Sequence, residues 1–487
     1  MSEVEPTQPA ADPHASPSGF TQRERNTTDV WRFRLENGLR VWAHQRPRSG
    51  TLALLVQLPV GSRHEDKRNN GVAHFVEHMV FTGTQKWPDE NDVMEAIRRV
   101  GGYANAFVSL EQTVFYLHLK ADDLELGLEW LAEVLFRPTL TEEKFHKESE
   151  VIRQEKGGDY GLLGRFFAWL EKHNLGYDVF WAVERRLFPN SSLLLPIIGT
   201  DESLRRIDHK TLVDFYRQYY VPNNMTLIAV GDLEREPFEA AVRAQFGSFP
   251  AGAAQASRAP LAVDRRPFDI RLYGPSINDR GQMLLGGVLG GGGDHPDRYA
   301  WWVLCEMLDT DLTEEIRHRR GLSYGVFPQA VLYVDAGYLY IYMSAESDRF
   351  HEIQDVIEAH LQRFIDGDID PEKVENAKNA IRGRAMLNLE ANMSMGWWLS
   401  ADALTIHDAD ELPVPNFFAG IAAVTPADLQ RVAREVLTPE KRFRVIHRPM
   451  VTPRRLRPWL AGAGMSLVGA AVALAARYYR DRARWRL

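Results

Sequence analysis

The sequence predicts an α+β protein made of two homologous units, each a mixed or antiparallel sheet with helices, followed by a C-terminal transmembrane helix. Three observations lead to this fold class. Strand patterns such as TLALLVQLPVGS and TVFYLHLKA alternate with long amphipathic helical patterns, as in α+β domains. A helix–turn–strand segment occurs twice, 217 residues apart. An uncharged run of 18 residues lies near the C-terminus, which is about the length that a bilayer requires.

The repeated segment is the evidence for two units. The first copy is Ile207–Asp232, the second is Val424–Pro449, and they align without gaps so that Pro222 matches Pro439. Each copy reads as an amphipathic helix behind a capping residue, then a turn with proline, then a strand. Self-similarity at this length indicates a duplicated unit.

A stretch rich in Pro, Ala, Gly and Ser separates the two copies and is typical of an exposed linker. The predicted order is therefore a disordered leader, an N-terminal unit, this linker, a C-terminal unit, a transmembrane helix and a basic tail. The corresponding residues are 1–27, 28–247, 248–267, 268–450, 458–476 and 477–487.

The two ends of the chain differ in character. The leader is polar and has neither an apolar run nor a basic start, so it resembles neither a secretory signal nor a transit peptide. We therefore expect a disordered leader and a cytoplasmic body. The run Trp459–Ala476 carries no charge and is flanked by arginines on both sides. As a helix it would be about 27 Å long, just enough for a single-pass anchor. The alternative is a Gly/Ala-rich helix packed on the body or lying on a membrane.

Composition excludes several protein classes. The chain has 487 residues, of which 45% are hydrophobic and 25% charged, a balance that excludes disordered, collagen-like and many-span membrane proteins. The net charge of −8 combines a basic tail with an acidic body, and an acidic body disfavours nucleic-acid binding. The single cysteine, Cys305, lies in the apolar run WWVLCEML, so we expect a buried thiol and no disulfide.

The segment GVAHFVEHMVFTGT contains the candidate metal-binding and catalytic residues. In a helix His74 and His78 stand one turn apart on one face, and Glu77 lies within about 60° of His74. Two imidazoles and one carboxylate can hold a zinc ion and leave a coordination position open, as catalytic zinc requires. Glu77 can then act as a general base. The pattern H-x-x-E-H is short. The alternative is a pair of histidines on the surface or in the core that only make hydrogen bonds and bind no metal.

The third ligand should be a carboxylate from elsewhere in the chain. The helical run EEKFHKESEVIRQEKGG places Glu148 and Glu155 on one face, two turns apart. One could bind the metal while the other makes a supporting hydrogen bond. By themselves, Glu148, Glu150 and Glu155 fit a solvated charged face equally well.

The chain resembles the pitrilysin/insulinase/mitochondrial-processing-peptidase family of zinc metallopeptidases over about residues 30–450. The matching strings are LPVGSRHEDKRNNGVAHFVEHMVFTGT, GGYANAFVSLEQTVFYLHL, KESEVIRQE, PIIGT, YYVPNNMTLIAVGD and RHRRGLSYGV. The resemblance implies one zinc per chain, bound by His74, His78 and Glu155. It also implies that Glu77 is the general base and that Glu148 supports the site. The two units would form half of a clamshell.

The resemblance also implies substrate-binding residues. EIRHRRGLSYGV supplies an Arg and a Tyr seven residues apart, Arg317 and Tyr324, which would steady the tetrahedral intermediate. The neighbouring Arg319 and Arg320 leave the identity of this arginine open, and a packed basic helix end is the alternative. Residues Asn105, Ala106 and Phe107 match the edge strand that would pair with an extended substrate.

One region departs from the family pattern. Residues 157–196 are rich in aromatic side chains, and NSSLLL stands where family members commonly have a histidine before PIIGT. This region could form a wall that faces the substrate, a surface that faces a membrane, or ordinary core. We favour core together with a cavity wall.

The sequence therefore predicts a membrane-tethered zinc endopeptidase that cleaves peptides or unfolded segments. A catalytically silent structural subunit of the same fold is the rival, and an enzyme that depends on a separate partner chain is a third reading. Since one chain holds one zinc unit and one Arg/Tyr unit, we expect a twofold homodimer, with a heterodimer of related subunits as the alternative.

Overall fold

The computed structural model describes residues 30–157, 178–253, 260–277, 279–405 and 413–452. Within these ranges the strands form two sheets. The strands are β1 (Trp31–Arg34), β2 (Arg40–Gln45), β3 (Thr51–Leu58), β4 (Tyr103–Val108), β5 (Thr113–Lys120), β6 (Thr226–Gly231), β7 (Phe268–Ile277), β8 (Arg280–Val288), β9 (Ser323–Leu332), β10 (Gly337–Glu346) and β11 (Arg442–Val451).

The two sheets share one topology. The first has the order β1-β2-β6-β3-β5-β4 and the second the order β7-β11-β8-β10-β9. In each sheet one pair of strands is parallel, β2 with β6 in the first and β7 with β11 in the second. The other pairs are antiparallel. The first sheet has β1 as an additional edge strand. The prediction of two related α+β units with mixed sheets is confirmed.

Helices cover both sheets. They are α1 (Val72–Phe81), α2 (Glu90–Arg98), α3 (Leu124–Phe136), α4 (Glu142–Glu155), α5 (Val179–Leu187), α6 (Asp201–Arg206), α7 (His209–Tyr219), α8 (Arg235–Phe246), α9 (Arg298–Leu312), α10 (Phe350–Asp366), α11 (Pro371–Asn388), α12 (Asn392–Thr405), α13 (Pro413–Ala423) and α14 (Pro426–Val436). A π-helical segment, Thr313–Arg319, continues α9.

The repeated segment folds alike in both units. Helix α7 and helix α14 are each followed by a short 3-10 turn that starts at a proline, and then by a strand, β6 or β11. Asp208 caps the first helix through the amide of Thr211. Thr425 caps the second through the amide of Asp428. The capping residues expected from the sequence therefore begin both helices.

The two units exchange a helix. Helix α12, from the second half of the chain, packs on β3 and β6 of the first sheet. Helix α5, from the first half, packs on β8 and β11 of the second sheet. Strand β3 is apolar on both faces for this reason: Leu52 and Leu54 belong to the core that contains α1, whereas Ala53 and Leu55 face the core that contains α12. A strand covered on both sides needs no polar face.

Other predictions meet the structure only in part. The leader 1–27 and the segment 458–476 lie outside the described residues. No helix within the described ranges has the length and apolar character needed to cross a bilayer.

The described part of 157–196 forms core through α5 and also lines a cavity of about 700 Å³ with Trp181 and Arg185. Residues 158–177 lie outside the described ranges. Cys305 is buried, and burial raises the pKa of its thiol.

Candidate metal centre

Helix α1 carries the two histidines. It is apolar on most sides and correspondingly buried, as expected for a helix held between a sheet and other helices. It begins at Gly71, whose φ of +98° places it in the left-handed region. A side chain at this position would also meet the backbone of Gly199 at 2.9 Å. Glycine is therefore required here both for its backbone angle and for its size.

A buried carboxylate, not a conventional cap, holds the start of this helix. Glu65 accepts hydrogen bonds from the amides of Gly71 and Ala73, each at 2.8 Å. It also accepts one from the side chain of Asn70 at 2.9 Å. Burial raises the pKa of Glu65 to about 7, although these three hydrogen bonds oppose the shift. Glu65 thus anchors the turn that immediately precedes His74.

Helix α4 supplies the carboxylates. Thr141 caps it through the amide of Lys144, and its face toward α1 carries Phe145 and Glu148. The ring of Phe145 stacks on Phe75 of α1, with centroids 4.8 Å apart and an interplanar angle of 10°. This stack fixes the two helices side by side. Glu155 lies seven residues after Glu148, and residues seven apart share a helix face. The same packing therefore directs Glu155 toward the histidines.

Three side chains converge at the site. Nε2 of His78 lies 3.3 Å from Oε2 of Glu155, and Nε2 of His74 lies 3.8 Å from the same oxygen. Nδ1 of His78 donates to Oε1 of Glu148 at 2.8 Å. This bond leaves Nε2 of His78 as the nitrogen that faces Glu155. An imidazole whose Nδ1–H is held by a carboxylate is the usual arrangement of a metal-bound histidine.

Glu77 lies at the other side of the cluster. Its carboxylate is 4.0 Å from Nε2 of His78 and is largely buried. One oxygen of Glu77 and one nitrogen of each histidine lie within 4.8 Å of one another. A metal site could therefore take Glu77 or Glu155 as its carboxylate by distance alone. Glu155 is the closer of the two, because its Oε2 lies 3.3 and 3.8 Å from the two Nε2 atoms, whereas Glu77 comes no nearer than 4.0 Å to Nε2 of His78.

The protonation states fit a cation site. Burial, together with His78, lowers the pKa of His74 to about 4, so this imidazole is neutral. Burial alone would lower the pKa of His78, but hydrogen bonds to Glu148 and Glu155 and the charge of Glu77 raise it to about 10. Burial raises the pKa of Glu77 to about 7. Without a metal, His78 therefore keeps a proton, which metal binding would displace.

The structure places Arg317 and Tyr324 side by side. The guanidinium of Arg317 lies 4.6 Å from the ring centre of Tyr324, whose side chain is 76% exposed. Arg319 and Arg320 instead pair with glutamates of the same helical segment. Within the described residues, neither Arg317 nor Tyr324 makes a hydrogen bond, ion pair or ring contact with His74, Glu77 or His78.

Residues Asn105, Ala106 and Phe107 lie on β4, an edge strand that pairs only with β5 among the described strands. The amide of Ala106 donates to the side chain of Asn105 at 2.8 Å. Trp397 of α12 packs against Phe107 and Tyr116, with ring centroids 5.3 and 4.7 Å apart. A side chain from the second half of the chain therefore lies behind the edge strand of the first sheet.

Sequence reasoning missed Glu65 and Trp397. The only local sign of the first is a glutamate seven residues before a helix that has no Ser, Thr or Asp directly ahead of it. Nothing in the sequence points to the second, because its neighbours are more than 250 residues away in the chain.

Replacing Glu148 with Ala is expected to weaken zinc binding by about 10–100-fold, because Nδ1 of His78 loses the acceptor that orients its ring. Glu148→Gln should keep part of the affinity, since its amide oxygen can still accept that hydrogen bond. Glu150→Ala is the matched control, because Glu150 is exposed on the same helix and pairs with Arg153. Competition with a chromogenic chelator measures the affinities. Equal affinities of Glu148→Ala and Glu150→Ala would contradict the supporting role.

Two models of one peptidase family match the chain. The model described as insulinase (peptidase family M16) matches residues 40–157, which include the whole histidine cluster. The model described as peptidase M16 inactive domain matches residues 206–381. The family expected from the sequence motifs is thus found in both halves of the chain.

Relatives align along most of the chain. A Bacillus subtilis protein named uncharacterized zinc protease YmxG is 27% identical over 374 residues, which are 75% of this chain and 86% of that protein. Mouse mitochondrial-processing peptidase subunit beta is 25% identical over 419 residues, 83% of this chain and 81% of the relative. Core protein I of the Euglena gracilis ubiquinol-cytochrome-c reductase complex is 25% identical over 441 residues, 83% and 84% of the two chains.

Solved structures share the fold. A protease from Helicobacter pylori superposes with a TM-score of 0.73 at 20% identity and covers 87% of this chain and 100% of its own. A peptidase M16 inactive domain from Pseudomonas fluorescens superposes with a TM-score of 0.71 at 18% identity, covering 87% and 98%. Because two models of the same family match successive parts of the sequence, this chain belongs to the insulinase (M16) family of peptidases.

Proposed function

We propose that the protein is a zinc-dependent metalloendopeptidase that hydrolyses peptides or extended polypeptide segments. The observation that carries this proposal is the convergence of Nε2 of His74 and Nε2 of His78 on one oxygen of Glu155, with Glu77 buried beside them. Relatives named as zinc proteases support zinc as the metal. The single such cluster among the described residues supports one zinc per chain.

The roles of the residues follow from their positions. When bound, zinc supplies Lewis-acid activation of a water molecule and of the scissile carbonyl. His74, His78 and Glu155 hold the metal, and Glu148 orients His78 through Nδ1. Glu77 takes the proton of the attacking water and passes it to the leaving amine. Its burial beside the histidines keeps this carboxyl group within the site rather than in bulk water.

The edge strand β4 is the proposed docking site for substrate. Its free edge can pair with an extended peptide through main-chain hydrogen bonds, which demand little of the substrate sequence. Asn105, Ala106 and Phe107 are the residues that would line this pairing. Such a site favours unfolded segments, because a folded domain has few free strands to offer.

The rival function is a structural subunit without hydrolytic activity. The Euglena relative is named for its place in a ubiquinol-cytochrome-c reductase complex rather than for a peptidase activity, which keeps this possibility in view. The complete set of His74, Glu77, His78 and Glu155 favours the enzyme instead, because a silent subunit has no need to keep a base beside two metal-ligating histidines.

Digestion of a peptide library with and without a chelator tests the proposal. The zinc-loaded protein should cleave extended peptides at internal bonds, lose activity with 1,10-phenanthroline and regain it when zinc is restored. His78→Ala is the negative control for a contaminating protease. No cleavage by the zinc-loaded protein, or cleavage that persists in His78→Ala, would favour the structural subunit.

We further propose that the active form is a dimer, with the zinc cluster of one chain facing Arg317 and Tyr324 of the other. Among the described residues this pair makes no contact with the cluster of its own chain, and the exposure of Tyr324 supports an action on another chain. A closed twofold dimer is the commonest assembly of identical chains. The mouse relative is named as a subunit, so a related second chain could take the partner's place.

Mixing two inactive variants tests the dimer. When Glu77→Gln and Tyr324→Ala chains exchange subunits at random, about one site in four combines an intact Glu77 with an intact Tyr324 from the partner. Activity should therefore return from near zero. A mixture of Glu77→Gln and His78→Ala is the control, because every zinc site in it is defective. No recovery in the first mixture, despite demonstrated exchange, would contradict a shared site.

The C-terminal segment 458–476 is proposed as a single-pass membrane anchor. Its uncharged run is long enough to span a hydrocarbon core, and arginines with interfacial Trp459, Tyr478 and Tyr479 flank it.

A further inference from the structure

One face of the second sheet carries a cationic and aromatic strip next to where the described chain ends. It consists of Arg271 and Tyr273 on β7 together with Arg448 and Met450 on β11, and we call it the β7–β11 strip. The strands pair in parallel with Arg448 opposite Tyr273. Because alternate residues of a strand share a face, Arg271 and Tyr273 point to the same side. Tyr273 is 45% and Met450 50% exposed.

The arginines of this strip have no acidic partner in the described residues. Arg448 lies 5.9 Å from the ring centre of Phe350, and no ion pair involves Arg448 or Arg271. The neighbouring Arg444 is different, because it pairs with Asp269 and donates to Gln354. Two uncompensated guanidiniums beside an exposed aromatic ring are suited to an anionic surface. Arginine binds phosphate groups well because its planar donors fit their oxygens.

The length of the chain beyond the strip limits how far it can lie from a membrane. Strand β11 ends at Val451, and the uncharged run begins at Trp459. The seven residues between them, Thr452–Pro458, span at most about 25 Å. This connection carries Arg454, Arg455 and Arg457. If the run enters a bilayer, the end of β11 is held within that distance of the lipid headgroups.

We propose that the β7–β11 strip docks on the surface of an anionic lipid bilayer. This inference rests on the membrane anchor of the proposed function and adds a second contact to it. Arg271 and Arg448 bind lipid phosphates, while Tyr273 and Met450 lie at the level of the headgroups, where amphipathic and apolar side chains are favoured. Basic residues next to a membrane segment are attracted to anionic lipids within about one Debye length of the surface. The anchor and the strip together set the orientation of the body.

The test places a fluorophore on the strip in the full-length protein. Cys305 is buried, so a cysteine introduced by Met450→Cys can be labelled selectively. The labelled protein is reconstituted into vesicles of phosphatidylcholine alone or mixed with phosphatidylserine, both containing lipids with a nitroxide at the headgroup. Arg98→Cys, on α2 of the first unit, is the control label. The nitroxide should quench the label at position 450 severalfold more in anionic than in neutral vesicles, and leave the label at position 98 unaffected.

Charge reversal separates the strip from the anchor. Arg271→Glu combined with Arg448→Glu should lower the quenching to its level in neutral vesicles, while the protein still floats with the vesicles on a density gradient. Arg98→Glu with Arg99→Glu is the matched control and should change nothing. Equal quenching in both kinds of vesicle, or quenching that survives the charge reversal, would contradict docking of the β7–β11 strip but not the membrane anchor. Failure of the unmodified protein to float would overturn the anchor and the strip with it. Peptidase activity of the same preparation reports separately on the enzyme.

Discussion

Glu77→Gln is expected to abolish peptide hydrolysis and to leave the zinc in place. Glutamine has nearly the same shape but cannot accept the proton of the attacking water, so the rate should fall by about 10²–10⁴-fold. The ligands His74, His78 and Glu155 are untouched. Affinity for zinc should therefore stay within a few-fold of the original protein, and metal analysis after gel filtration measures it alongside the rate of hydrolysis.

Glu150→Gln is the matched control for this substitution, since it makes the same chemical change at an exposed position. It should keep both zinc and activity. Loss of zinc in Glu77→Gln would mean that Glu77 is a ligand and that the assignment of Glu155 is wrong. Full activity with zinc bound would mean that another group acts as the base.

Arg63→Met is expected to destabilise the protein by about 3–5 kcal/mol, which is the usual result of breaking a buried ion pair from one side. The side chain of Arg63 is only 3% exposed and contacts Glu111 at 2.5 Å and Asp335 at 2.8 Å. Glu111 also accepts from the amide of Val334 at 2.9 Å. Removing the guanidinium leaves two acidic groups without the charge that offsets their burial.

This ion-pair triad also joins the two units. Arg63 follows β3 and Glu111 precedes β5 in the first sheet, whereas Asp335 lies in the turn between β9 and β10 of the second. Urea unfolding of Arg63→Met should therefore show a lower midpoint and a loss of cooperativity between the units. Arg206→Met is the control, because it removes an exposed pair with Glu202 that contributes little. A difference of less than about 1 kcal/mol between the two variants would contradict the role of the triad.

The double variant Arg63→Met/Glu111→Leu provides a further check. It removes the carboxylate that the single substitution leaves buried, so part of the lost stability should return. Stability equal to that of Arg63→Met alone would mean that Glu111 is not the source of the cost.

The amino-acid sequence by itself determined the local structure and the chemistry of the first site residues. Spacing of four residues on one helix turn brings His74 and His78 to one face whatever surrounds the helix. Capping residues such as Asp208 and Thr425 define helix starts through hydrogen bonds that reach only three residues along the chain. These signals are local, which is why the repeated segment could be recognised and its helix and strand placed.

Only the tertiary structure decided which distant groups meet. By their spacing alone Glu148, Glu150 and Glu155 were equivalent, and only the family resemblance distinguished them. In the structure, the stacking of Phe75 on Phe145 turns Glu148 and Glu155 toward the histidines, while Glu150 is exposed. The sequence did not indicate the exchange of α5 and α12 or the hydrogen bonds of Glu65 to the helix start. Each depends on how side chains far apart in sequence pack together, and packing energy is a property of the whole core that no short segment carries.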